Sequence, residues 1–164
     1  MSDEKFQTSL ALYTTLASRP TTDSRTRLVC LAKKTSLLDM HPAIRTFDAS
    51  CRKIRASSCR DAKTHLPFSA SLGAMLADRV ATIRDLALAY KESGDAINTS
   101  VMYDRAVQLL EALPEETRKT TGCGLSDMLL AWADVEESLG RTTKASKIRD
   151  RSRKDNTSRS IATK

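Results

Sequence analysis

Aromatic side chains are scarce in this chain, at 4% of its 164 residues. Runs that alternate apolar and polar residues between turn signals are hard to find, so a sheet has little support. Histidine occurs only at positions 41 and 65, and none of Cys30, Cys51, Cys59 and Cys123 forms a CxxC pair. A structural zinc site needs three or four thiolate or imidazole ligands at short, turn-compatible spacing, which this pattern does not offer. Nor does it suggest a disulfide framework, so a reducing compartment is expected. Cys30 and Cys51 fall on apolar helix faces and are expected as buried thiols. No segment approaches the roughly 18 continuous apolar residues of a membrane span. The first residues, MSDEKFQTSLALYTTLASRP, lack the basic start and apolar run of a secretory signal. The expectation is a soluble protein of cytoplasm or nucleus.

Catalytic patterns are equally thin. A nucleophile needs a base within reach, and the nearest arrangement, Cys59 and His65, straddles a helix end. Gly122-Cys123-Gly124 precedes a helix but lacks the further glycines and the lysine of a phosphate-binding loop, and reads as a flexible turn. Glu115-Glu116 and Glu136-Glu137 read as solvated charges, the first pair marking an acidic rim. Tyr90, Tyr103 and Trp132, at helical spacing, read as core. The expectation is a protein that is not an enzyme and carries no cofactor or metal.

What the chain does have is helical periodicity, and Ala, Leu, Lys, Arg and Ser in abundance, which favours an all-α protein. The spacing predicts helices over 4–17, 24–40, 43–63, 69–93, 96–113, 125–139 and 142–153, with Glu115 to Gly124 as a polar loop. Pro20, Pro42, Pro67 and Pro114 punctuate them. Asp23 or Ser24 and Asp95 are the expected caps, and Gly94 and Gly140 the terminators. In the fifth helix Ile97, Val101, Ala106, Val107 and Leu110 are expected inward. The last helix has only Ala145 and Ile148 to bury. From Lys154 onward a disordered basic tail is expected, leaving 1–153 as the folded domain.

The clearest stretch is Val80 to Pro114, VATIRDLALAYKESGDAINTSVMYDRAVQLLEALP. A helical hairpin of this kind cannot bury both faces alone and must stack on neighbours. Ile83, Leu86, Ala87, Tyr90, Gly94, Asp95, Tyr103 and Ala106 resemble a tetratricopeptide-type repeat, with Thr99 where a small alanine is usual. A degenerate second unit runs through Leu129, Trp132, Ala133, Gly140 and Ala145, with Glu136 and Arg149 in place of the aromatics. Its glycine follows the first by 46 residues, against about 34 in the regular repeat. The resemblance implies a right-handed α-solenoid of six or seven helices that binds other proteins. A looser likeness, through Val80-Ala81-Thr82-Ile83-Arg84 and Leu113-Pro114-Glu115-Glu116-Thr117, is to the helical-repeat arm of signalosome and proteasome-lid subunits, the fourth-subunit family of the signalosome above all. It implies a scaffold or subunit of a multiprotein complex.

Charge is unevenly placed. The formal net charge is +7, with the basic residues concentrated before residue 67 and after residue 140 and an acidic excess between. Such a distribution suits docking of an acidic partner. The expected partner-binding residues are Arg45, Arg52, Lys53, Arg55 and Arg60 on the third helix, and Arg141, Lys144, Lys147, Arg149 and Arg151 near the end. The second group offers the alternative function, a nucleic-acid accessory protein that contacts phosphates without reading sequence. Ser152, Ser158 and Ser160 lie beside arginines, where phosphorylation would cancel that charge.

Overall fold

The computed structural model describes residues 3–56 and 69–162. Among them are eight helices and no strand: α1 (Asp3–Ser18), α2 (Ser24–Met40), α3 (Pro42–Ala56), α4 (Ala70–Glu92), α5 (Ala96–Ala112), α6 (Glu115–Thr120), α7 (Leu125–Ser138) and α8 (Thr142–Ala162). The all-α class read from the sequence is therefore what the chain adopts.

The helix starts follow from capping chemistry. The side chains of Asp23, Ser69 and Asp95 accept hydrogen bonds from the amides of Thr26, Leu72 and Asn98, satisfying donors that the first helical turn leaves without partners. The stops follow from glycine. After α4, the Gly94 amide donates to the Lys91 carbonyl and the Asp95 amide to that of Tyr90. After α7, Gly140 donates to Glu137 and Arg141 to Glu136. Both turns are Schellman closures that require a left-handed residue, and Gly94 and Gly140 supply it with φ of +79° and +74°. Tyr90 and Glu136 thus occupy the same position relative to their turns.

Packing runs mainly between neighbours in the chain. Helix α1 packs on α2, α2 on α4, α4 on α5, α5 on α7 and α7 on α8, while α3 makes lighter contact with α2 and α4 and the short α6 with α4. One core cluster threads α1 to α8 through Phe6, Leu38, Ile44, Phe47, Leu76, Val80, Ile83, Tyr103, Ala106, Leu110, Leu129, Trp132 and Ile148. Leu31, Leu86 and Ala89 form a satellite between α2 and α4. Each fully buried Leu or Ile of this set contributes about 1.5–3 kcal/mol by leaving water. Polar residues fasten the same seams: the nearly buried Lys34 ammonium of α2 donates to Asp78 of α4 at 2.7 Å.

Four expectations are corrected. The segment after Pro114 is not all loop, because Glu115–Thr120 forms a helical turn, with acidic residues at its start and basic ones at its end as the helix dipole favours. The last helix does not stop at Arg153 but continues to Ala162, since no proline or glycine follows Gly140 to break it. In α5, Ile97 and Val101 are exposed at 61% and 51%, while Thr99, Ser100 and Tyr103 are buried. The stripe of Ala106, Val107 and Leu110, extended back by steps of three and four, passes through 103, 99 and 100. Hydropathy alone pointed one residue away from it. Ser152 is not a surface hydroxyl beside Arg151. It is buried, hydrogen-bonded to the Ser126 hydroxyl across the α7–α8 seam.

Cys30 and Cys123 are buried free thiols, and Cys51 is half-buried. The helix expected to run to Lys63 is described as far as Ala56, and Ser58, Cys59, Arg60, Lys63 and His65 lie outside the described residues.

Candidate partner-binding cleft

Helix α3 enters at Pro42, whose fixed φ suits a first helical turn, and its apolar residues Ile44 and Phe47 are buried in the core. That anchoring turns Arg45 and Arg52 outward, seven residues and two turns apart on one face, about 10 Å along the axis. Both are exposed and neither has an ion-pair partner among the described residues. Opposite them lie Asp39 near the end of α2, Arg79 in the middle of α4 and Arg105 on α5. Together with Thr46, Asp48, Ala49 and Ser50 these residues line an open cleft of about 640 Å³.

The floor of the cleft is an ion network around Arg79, which is 4% exposed. Its two terminal nitrogens donate to the two oxygens of Asp48, each at 2.8 Å, and its Nε donates to Asp39 Oδ1 at 2.9 Å. Asp39 accepts a further bond from Arg105 on its other oxygen. Four helices are tied by this one cluster. Burial works against the Arg79 charge, but the hydrogen bonds and charges of Asp48 and Asp39 outweigh it, so its pKa is raised further above an already high value. The bidentate pairing to Asp48 is the geometry for which the planar guanidinium fork is suited.

The basic residues expected near the end of the chain are arranged differently. Lys144 and Arg141 both donate to Glu136, at 2.7 and 3.4 Å. Arg149 bridges Asp134 and Glu137, and Arg151 pairs with Glu111 of α5 at 2.6 Å. Of the five, only Lys147 has no ion-pair partner among the described residues. The structure therefore does not gather them into an open basic patch. It uses most of their charge to fasten α8 onto α7 and α5. On the third helix, the side chains of Lys53 and Arg55 fall outside the described residues, as does the whole of Arg60.

Glu136 corrects the reading of Glu136-Glu137 as a solvated pair. Glu137 is exposed, but Glu136 is 0% exposed. Its carboxylate accepts bonds from the Ser100 hydroxyl, from the Trp132 indole nitrogen at 3.0 Å and from the Lys144 ammonium, which also lies 4.9 Å from the centre of the Trp132 ring. Burial pushes the carboxyl up. The bonds from Lys144, Ser100 and Trp132 and the Lys144 charge outweigh this and hold its pKa at about 2.

Of the arginines that line the cleft, the sequence singled out Arg45 and Arg52 and not Arg79 or Arg105. A charged residue on the apolar stripe of α4, one position before Val80, was the available signal for Arg79. Among the described residues no group of three or more His, Cys, Asp or Glu is placed to hold a metal ion. No described helix is long and apolar enough to cross a membrane.

No family model, curated protein or solved structure matches this chain.

Proposed function

We propose that the protein is a non-enzymatic interaction scaffold, a subunit of a multiprotein complex, that holds an acidic segment of a partner protein in the cleft between α3, α4 and α5. The observation that carries this reading is the pair Arg45 and Arg52, exposed on the cleft wall with no ion-pair partner among the described residues. Beneath them the Arg79 network keeps Asp39 and Asp48 neutralised, so these carboxylates repel an incoming anion less. Such a site gives affinity and orientation through charge complementarity, with fast, salt-sensitive association.

The scaffold has the character of an α-solenoid, helix upon neighbouring helix, that presents a groove of fixed shape. Its support is the chain-order packing, the repeated Schellman turns after α4 and α7 and the tetratricopeptide-like residues of Ile83 to Ala106. The likeness of Val80 to Thr117 to signalosome and proteasome-lid arms supports a place in a large assembly of cytoplasm or nucleus. The rival reading, phosphate contacts by the C-terminal helix, is weakened by the ion pairs that Arg141, Lys144, Arg149 and Arg151 already make.

Fluorescence anisotropy with a labelled glutamate-rich peptide tests the reading. Wild-type protein is expected to bind, more weakly as salt rises. The Arg45→Glu/Arg52→Glu variant is expected to keep its circular dichroism spectrum and lose binding. Equal binding by the two proteins would remove the cleft from consideration.

A further inference from the structure

The charge inventory of the cleft selects among acidic ligands. Its four cations, Arg45, Arg52, Arg79 and Arg105, are all arginine, and they face two carboxylates, Asp39 and Asp48, an excess of two positive charges. Arg79 directs all three of its nitrogens at Asp39 and Asp48 and is only 4% exposed, so its charge is spent on them. Arg105 bonds Asp39 through one nitrogen, and its side chain is about one-third exposed. The excess therefore resides on Arg45 and Arg52, with Arg105 able to turn its remaining donors to a ligand.

Two arginines two turns apart on one helix face have arms long enough to converge on a single group between them. A carboxylate placed there brings one negative charge and two oxygens. A phosphate monoester brings about −1.5 to −2 charge at neutral pH and three acceptor oxygens, which matches the excess in one group and lets both forks bind it with one oxygen shared between them.

The geometry points to a phosphoserine or phosphothreonine segment of the partner as the ligand of this cleft, its phosphate held between Arg45 and Arg52 with Arg105 opposite. This inference rests on the acidic-partner reading above and narrows it. Phosphorylation of the partner then controls docking on this face of the scaffold.

The test uses the full chain and three degenerate nonapeptide libraries, identical except for a central phosphoserine, serine or glutamate, with binding read by anisotropy. The phosphoserine library is expected to bind on the order of tenfold more tightly than the glutamate library, to be displaced by millimolar inorganic phosphate, and to lose binding in Arg45→Glu/Arg52→Glu. Arg45→Lys/Arg52→Lys, which keeps charge but not the forks, is expected to lose the preference for phosphate. Equal binding of the glutamate and phosphoserine libraries, both lost in the charge-reversed variant, overturns the phosphate inference and leaves the acidic-partner reading standing. Phosphoserine binding that survives charge reversal overturns both, as does the absence of binding by any library. Displacement of the phosphoserine library by single-stranded RNA as readily as by phosphate overturns the inference in favour of a general polyanion surface.

Discussion

The Lys144 ammonium of α8 lies 2.7 Å from a carboxylate oxygen of Glu136 on α7, and that carboxylate has no solvent exposure while Lys144 remains half-exposed. The lysine therefore closes the solvent side of a polar pocket whose inner walls are Ser100 and Trp132. A charge buried in this way is tolerated only because each neighbour hydrogen-bonds to it.

The Glu136 arrangement makes an acid-sensitivity prediction. Its carboxyl sits at about 2 in the folded chain, against 4.5 ordinarily. A depressed carboxylate contributes its full stability above the ordinary value and loses it as pH falls through the folded one. Stability is expected to decline between pH 4.5 and 2, with Trp132 emission, from the only tryptophan, as the direct reporter. Glu136→Gln is expected to cost about 2 kcal/mol at neutral pH and to flatten that part of the acid limb. An unchanged pH profile in Glu136→Gln would contradict the assignment.

Arg79 gives a larger effect. Arg79→Ala strips Asp48 of its guanidinium partner, leaves Asp39 with Arg105 alone and removes the ionic tie from α4 to Asp39 of α2 and Asp48 of α3. The expected loss is about 3–5 kcal/mol in urea unfolding. Arg79→Lys is expected to recover only part of it, because an ammonium cannot bond Asp48 in fork geometry. A loss below about 1 kcal/mol for Arg79→Ala would mean that the network is ornamental to the fold.

The register of α5 is testable by paired substitutions. Ala106 and Leu86 are buried and Ile97 and Val101 exposed. Ala106→Asp or Leu86→Asp is expected to unfold the protein, with a loss above about 4 kcal/mol from an unpaired buried charge. Ile97→Asp and Val101→Asp are expected to change stability by no more than about 0.5 kcal/mol, apart from helix-propensity effects. The opposite ranking in thermal melts would restore the register that hydropathy suggests.

That ranking also shows what the sequence made legible. Helix boundaries at Asp23 or Ser24, Gly94, Asp95 and Gly140 were readable because capping and left-handed turns depend on a few residue types. The buried faces of α4 and α7 were readable because Leu, Ile and Val repeat along them. The inward face of α5 was not, since Thr99 and Ser100 are buried polar residues: the Thr99 hydroxyl donates back to the Asp95 carbonyl one turn earlier, while the partner of Ser100 comes from another part of the chain. Ser100 meets Glu136 across 36 residues. The same holds for the cleft. Arg45 and Arg52 announce themselves by a basic helix, but Asp39, Arg79 and Arg105 come from three separate helices, and only the folded chain brings them together.

The most direct test of the account is capture of partners from the protein's own cell extract by tagged full-length chain, with nuclease treatment, comparing wild type with Arg45→Glu/Arg52→Glu and with Lys147→Glu. The account predicts protein partners that survive nuclease, are lost from the cleft variant and are retained by Lys147→Glu. Capture that is indifferent to the cleft variant but abolished by nuclease would contradict it and transfer the function to the C-terminal helix.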